Sequence, residues 1–287
     1  MKKIMFTAAI AAAGLAFGIE SANTVGYTTK TIPAGKYMMV AVQFDSTSNT
    51  ILNADQAFSL DKAPASWVDP EEDDDCIQDW YLHAPCLKIP LGTVDKGYQD
   101  LYYTSNACDL TDGYKGKRGW ANELGYLVKA PALRPGYGVW IKAGDNEDVT
   151  VTINGQVKAA ASDTFTGGAG YNLMRLPYPV ALNAGDSKID WNLSSQAVAS
   201  WNDPEEDDDC LPDWFKTAPC LKIPLGTVDK GYRDLYYSSN ACDLTDGYKG
   251  KPGWANELGF LVKDAVIPEG QGFWLVLPAA TTATQTK

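Results

Sequence analysis

The chain is poor in histidine and in positive charge. His83 is the single histidine, and 24 Lys and Arg stand against 36 Asp and Glu, a net charge of −12. An acidic surface repels phosphate backbones, so nucleic acid is excluded as a partner. The same surface gains nothing from an anionic membrane. After residue 22 no apolar run approaches the roughly 20 residues that a bilayer span needs, so no transmembrane segment is expected in the mature chain. Helical periodicity is scarce too. Only "LNADQAF" at 52–58 offers a turn or two, with Asn53 as cap. The six cysteines lack any CxxC pair, which leaves zinc as a weak second to disulfides.

What is present begins with the leader. "MKKIMFTAAIAAAGLAFGIESA" has two lysines, an apolar stretch from Ile4 to Gly18 and a small-residue exit. That layout is expected of a secretory signal peptide over residues 1–22, cleaved after Ala22, with Gly18 as the alternative site. Removing Lys2, Lys3 and Glu20 leaves 22 basic and 35 acidic residues, a charge of −13. Export makes the six cysteines a disulfide framework, because the compartment outside the cytoplasm is oxidising.

The sequence then repeats itself. Trp67 opens "WVDPEEDDDC" and Trp201 opens "WNDPEEDDDC", and the offset between them holds well beyond these runs. Residues 66–129 align with 200–263 without a gap, and ten of those sixty-four positions differ. Residues 130–143 and 264–277 keep only three of fourteen: Gly136, Gly138 and Trp140 against Gly270, Gly272 and Trp274. A shared job for the middle segment and recent duplication with local exchange both account for this unevenness. The expectation is two homologous domain-sized modules, 23–155 and 156–287.

Local patterns point to strands. "YMMVAVQF" (37–44), "GYGVWIKA" (136–143), "YNLMRL" (171–176) and "GFWLVLP" (272–278) are short apolar runs bounded by Gly and Pro, and further strands are expected at Trp67 and from Tyr98. "TIPAGKY" at 31–37 and "TGGAGY" at 166–171 read as hairpin turns. Asn154-Gly155 inside "VTVTINGQVKA" predicts a tight hairpin at the module junction. The expected fold is all-β, with each module a disulfide-stabilised β-sandwich or partly open barrel.

Catalysis has little support. His83 faces Thr217 in the other copy, so no histidine-dependent triad exists in both. The acidic runs suit a hard cation better. Asp69, Glu71, Asp73 and Asp75, with their counterparts Asp203, Glu205, Asp207 and Asp209, concentrate oxygen ligands of the kind calcium accepts. The "NACDLTDG" turns add Asp109 and Asp112, or Asp243 and Asp246. Calcium is therefore the expected cofactor, although Asp74 stands where an EF-hand loop requires glycine. A solvated acidic face is the plainer reading.

Cys76 and Cys86, and likewise Cys210 and Cys220, are ten residues apart and expected to form local bridges. Cys108 and Cys242 then join each other or another chain. Trp80, Tyr102, Trp214 and Tyr236 recur near polar residues, as sugar-stacking aromatics do, although strand tyrosines more often pack as cross-strand pairs.

The opening "SANTVGYTTKTIPAGKY" and the closing "GYLVKAPALRPGYGVWIKA", repeated as "GFLVKDAVIPEGQGFWLVLPA", carry a resemblance. They resemble a family of exported bacterial proteins with a GY…PAG start and a PGxGFW closing strand, here in tandem. The resemblance implies a cell-surface location and no catalytic residues; the "DPEEDDDC" insert departs from it. The expectation is a non-enzymatic surface structural or adhesion protein with calcium-supported loops, its partners other surface proteins or glycans. The alternative is a bivalent carbohydrate-binding protein.

Overall fold

A computed structural model describes residues 25–45, 52–68, 76–108, 115–129, 131–202, 210–243 and 249–287. The leader over 1–22 lies outside them. The chain is all-β. Its first eight strands are β1 (Val25–Ile32), β2 (Tyr37–Val40), β3 (Phe58–Leu60), β4 (Cys86–Pro90), β5 (Tyr98–Thr104), β6 (Gly119–Ala121), β7 (Val139–Lys142) and β8 (Val149–Gln156). They make two sheets, ordered β1-β8-β3 and β2-β7-β4-β5-β6.

The inner faces of both sheets share one core, with Ile32, Val151 and Phe58 from the first and Leu87, Leu101 and Ile141 from the second. In β8 the residues alternate buried and half-buried along the whole strand, as a period of two requires. A one-turn helix, α1 (Ala54–Ala57), plugs one end. Asn53 caps it as expected, its Oδ1 accepting the Gln56 N–H at 2.9 Å.

The same plan recurs in the second half of the chain. β9 (Ser162–Gly167), β12 (Ile189–Asp190) and β19 (Thr281–Thr286) form a sheet ordered β12-β19-β9. β10 (Gly170–Met174), β13 (Val198–Ala199), β14 (Cys220–Pro224), β15 (Tyr232–Asn240), β16 (Gly253–Ala255) and β18 (Phe273–Leu277) form the second, and β11 (Leu182–Asn183) pairs with β17 (Val266–Ile267). Phe165, Trp191, Leu221, Leu235, Trp254 and Phe273 fill the core between them. Every ladder joins strands from one half of the chain.

Several local expectations are corrected. Asn154-Gly155 makes no hairpin: β8 runs straight through it, paired there with Tyr27 and Gly26 of β1, while β3 pairs with β8 over residues 151–153. Gly155 is needed for close approach, since a Cβ there would lie 2.7 Å from the Asp45 carbonyl oxygen and from the Phe44 side chain. "TIPAGKY" does turn, with Lys36 N donating to Pro33 O at 3.0 Å and Gly35 at φ +66°. The flanking β1 and β2 nevertheless enter different sheets, as β9 and β10 do around "TGGAGY". Trp67 lies in no strand, and β2 stops at Val40.

The two halves meet along a seam built from the few residues that the diverged ends retain. Gly138 N donates to Leu173 O at 2.9 Å, and Ala41 N donates to Gly270 O at 3.0 Å. Added Cβ atoms would be crowded at the seam. One at Gly138 would sit 2.9 Å from Met174 O, and one at Gly272 would sit 3.2 Å from Met39 Cβ. Trp140 and Trp274 pack on each other with ring centroids 6.0 Å apart. Gln43 spans the seam as well, donating to Tyr178 O at 2.6 Å and accepting from Gly270 N at 2.7 Å.

Candidate functional site

The described residues flanking each acidic run are tied to a buried serine. Ser66 has no exposed surface. Its N–H donates to Asn106 O and its Oγ donates to the same carbonyl, both at 3.0 Å. That Oγ also accepts the Cys108 N–H at 3.0 Å. Asn106 Nδ2 donates to Trp67 O at 2.6 Å, and Ile77 N donates to Ser66 O at 2.9 Å. Ser200 repeats the arrangement with Asn240, Cys242, Trp201 and Leu211. The fit requires glycine alongside: Gly125 at φ +82° would place a Cβ 2.9 Å from both Ser66 Oγ and Cys108 Cβ.

The covalent part of this hub differs from the expected pairing. Cys76 bonds Cys108 and Cys210 bonds Cys242, with Cα atoms 5.3 and 5.4 Å apart. Cys86 and Cys220 are buried free thiols. Topology explains the correction. After Cys76 the chain makes a short helix, α2 (Trp80–His83), and enters β4, so Cys86 is held in the ladder opposite Tyr102 and Lys142. β5 runs antiparallel to β4 and returns the chain to the hub, delivering Cys108 beside Cys76. Burial, with Asp100 nearby, pushes the Cys86 thiol up to about 11. Burial pushes Cys220 up to about 12.

In the first half the described residues that flank the two acidic segments, Val68 and Cys76 and then Cys108 and Lys115, adjoin this hub. Lys115 Nζ lies 4.4 Å from the centre of the Trp67 ring, and Lys249 lies 4.3 Å from that of Trp201. Of the acidic candidates, Asp69, Glu71, Asp73, Asp75, Asp109, Asp112, Asp203, Glu205, Asp207, Asp209 and Asp246 lie outside the described residues. Asp243 is buried, and its Oδ2 accepts the Leu261 N–H at 3.1 Å. Among the described residues no three His, Cys, Asp or Glu side chains converge.

The aromatic candidates form a small satellite core on the outer face of each larger sheet. Trp80 is 4 % exposed, and its Nε1 donates to Glu123 O at 3.0 Å. It meets Tyr102 edge-on at 6.2 Å, and Tyr81 meets Tyr102 at 5.3 Å. Trp214, Phe215 and Tyr236 repeat this cluster, with Trp214 Nε1 donating to Glu257 O at 3.0 Å. Indoles this covered present no open ring face to a sugar; Tyr102 and Tyr236 stay partly exposed. His83 is exposed, with Nδ1 3.9 Å from Asp145 Oδ2. Between strands on the same outer face, Lys88 pairs with Asp100 and Lys222 with Asp234.

Comparison with protein-family models, with curated proteins and with solved structures finds no match for this chain. Among the described residues no helix is long and apolar enough to cross a membrane.

Proposed function

We propose that the chain is an exported, non-enzymatic surface protein that displays two calcium-binding acidic loops on a rigid β scaffold. One observation carries the reading: in each half the described residues that flank the two acidic segments adjoin one disulfide-closed hub. On this reading the carboxylates of both segments are drawn on together from that common anchor. Such tethering lowers the entropic cost of gathering six to eight oxygen ligands. The composition of residues 1–22 supports the location, and the two disulfides are compatible with it.

Calorimetry on the mature protein tests this. Calcium is expected to raise the melting temperature, by mass action on the folded state, more than magnesium does. Asp73→Asn with Asp75→Asn is expected to remove the response of the first half and leave the second responsive. If sodium at matched ionic strength reproduces the whole shift, the runs are screened acidic surface and the calcium reading fails.

A further inference from the structure

A row of four aromatic rings crosses the seam on the outer face of the two larger sheets. Tyr37 packs edge-on against Trp140 with ring centroids 6.5 Å apart, Trp140 lies 6.0 Å from Trp274, and Trp274 meets Tyr171 edge-on at 6.0 Å. Strand alternation turns both indoles outward. Val139 and Ile141 enter one core and Phe273 and Leu275 the other, while Trp140 and Trp274 stay half-buried between them. Of the nine tryptophans these two alone are not buried. The row is alike from either end because the seam is reciprocal: Gly138 N donates to Leu173 O at 2.9 Å, and the counterparts Gly272 N and Met39 O answer at 3.4 Å.

These rings are kept where their surroundings are not. Between residues 37–44 and 171–178 only the leading tyrosine matches, and between 130–143 and 264–277 only the tryptophan matches besides two glycines. Packing at the seam accounts for the indoles. It does not account for Tyr37 and Tyr171, which end the row, half-buried in one case and 44 % exposed in the other. A groove of about 230 Å³ opens beside the row, walled by Tyr37, Lys88, Tyr98, Trp140, Val228 and Trp274. Tyr37 and Trp140 stand at 88° to each other, so the corner between them is bounded by a face of each ring. The polar groups alongside come as neutral pairs, Lys88 with Asp100 and its counterpart Lys222 with Asp234. The indole N–H of Trp140 donates to the Tyr98 hydroxyl, and that of Trp274 to Tyr232.

We propose that a neutral glycan of pyranose units lies along this row, the C–H faces of its sugar rings on Tyr37, Trp140, Trp274 and Tyr171 and its hydroxyls on the two Lys–Asp pairs. An aromatic side chain is apolar on its face and, in tyrosine, polar at its tip, which matches the apolar face and hydroxyl rim of a sugar. Each Lys–Asp pair sets donors beside acceptors, and adjacent sugar hydroxyls use both. A cationic ligand would meet Lys88 in the groove wall. A proline-rich peptide offers carbonyls that need donors, and here the indole N–H groups are already spent on tyrosines. The row shares no residue with the acidic segments, so the calcium experiment has no bearing on it.

Titration calorimetry of the full mature chain tests it, with cellohexaose, xylohexaose and chitohexaose as probes. Their single sugars, hexagalacturonate as a charged glycan and decaproline as a peptide are the comparisons. At least one hexasaccharide is expected to bind saturably, about tenfold or more tighter than its own monosaccharide, because one ring covers only part of the row. Tyr37→Ala and Tyr171→Ala each weaken binding by about fivefold, whereas Tyr126→Ala, exposed outside the row, leaves it unaltered. No saturable hexasaccharide binding overturns the proposal. So does equal affinity for the monosaccharide, hexagalacturonate or decaproline, or undiminished binding when both row tyrosines are replaced. Should the double variant fail to fold, tryptophan fluorescence of the parent decides, since Trp140 and Trp274 are its unburied indoles. A change that saturates with the hexasaccharide supports the site, and its absence overturns it.

Discussion

Replacing Cys76 and Cys108 together by alanine removes one covalent tie and leaves no stray thiol at the hub. The bond spans 32 residues. Loop-closure entropy for that length, 2.1 + 1.5R ln n, is about 12 cal/mol/K, or about 3.7 kcal/mol at 25 °C. The serine-centred hydrogen bonds at the hub survive the substitution, because none of them uses a sulfur. The folded geometry is therefore retained, and the loss should stay near the entropic value. Cys210→Ala with Cys242→Ala is expected to cost the same, since its loop also spans 32 residues. Cys86→Ala is the control: it deletes one buried sulfur outside any disulfide and costs about 1 kcal/mol. Urea unfolding of the three variants, with peptide mapping of the parent under non-reducing conditions, measures all of this. If either double variant costs no more than Cys86→Ala, or if mapping recovers a Cys76–Cys86 link, the account of the hub is refuted.

Ser66→Ala orphans the buried Cys108 N–H and should cost about 1–3 kcal/mol by the same unfolding assay. Gly138→Ala forces a Cβ to 2.9 Å from Met174 O, and about 1–3 kcal/mol is expected, whereas Gly185→Ala meets nothing closer than Asn183 Oδ1 at 3.9 Å and should cost little. Equal losses at the two glycines would remove the steric argument for the seam. The raised thiols of Cys86 and Cys220 stay protonated in the fold while an unfolded thiol near 9.0 ionises. Stability should accordingly fall as pH rises from 9 toward 11, by up to about 1.4 kcal/mol per unit for each thiol, and more shallowly in Cys86→Ala. At pH 8 the native protein should resist alkylation at both positions, and rapid labelling would contradict their burial.

The strand plan was readable because half-buried strands alternate. β8 keeps its buried and half-buried residues in strict turn, and β7 and β18 do so as well. The Asn154-Gly155 signal misled because a partner distant in sequence claims the same backbone. β1 pairs with β8 through both residues, whereas β3 stops opposite Ile153, and the glycine answers a steric demand from Phe44. The disulfides were ambiguous for another reason: the Cys76-to-Cys86 and Cys76-to-Cys108 spacings both recur in the second copy, so spacing alone favoured the shorter loop. Only the antiparallel return of β5 distinguishes them. The seam did leave a trace. Gly136, Gly138 and Trp140 are the three survivors in a diverged segment, and they or their counterparts touch the other half.

The near-identity of residues 66–129 and 200–263 has a kinetic side. The strands they supply, β4–β6 and β14–β16, differ at two of fifteen aligned positions from Cys86–Pro90, Tyr98–Thr104 and Gly119–Ala121. Either set is therefore acceptable to either scaffold, and sorting falls to chain connectivity. Lys88 meets Trp140 across the correct ladder; the wrong meeting, with Trp274, closes a far longer stretch of chain. Because closure entropy grows only with the logarithm of loop length, it separates the two by only about 1 kcal/mol. A refolding chain thus discriminates mainly through the diverged β7 and β18, Val-Trp-Ile-Lys against Phe-Trp-Leu-Val-Leu. Synthesis from the N-terminus sidesteps the problem, since the first insert docks before its rival exists. Dilution from denaturant offers no such order, and crossed or intermolecularly swapped species are its natural by-products.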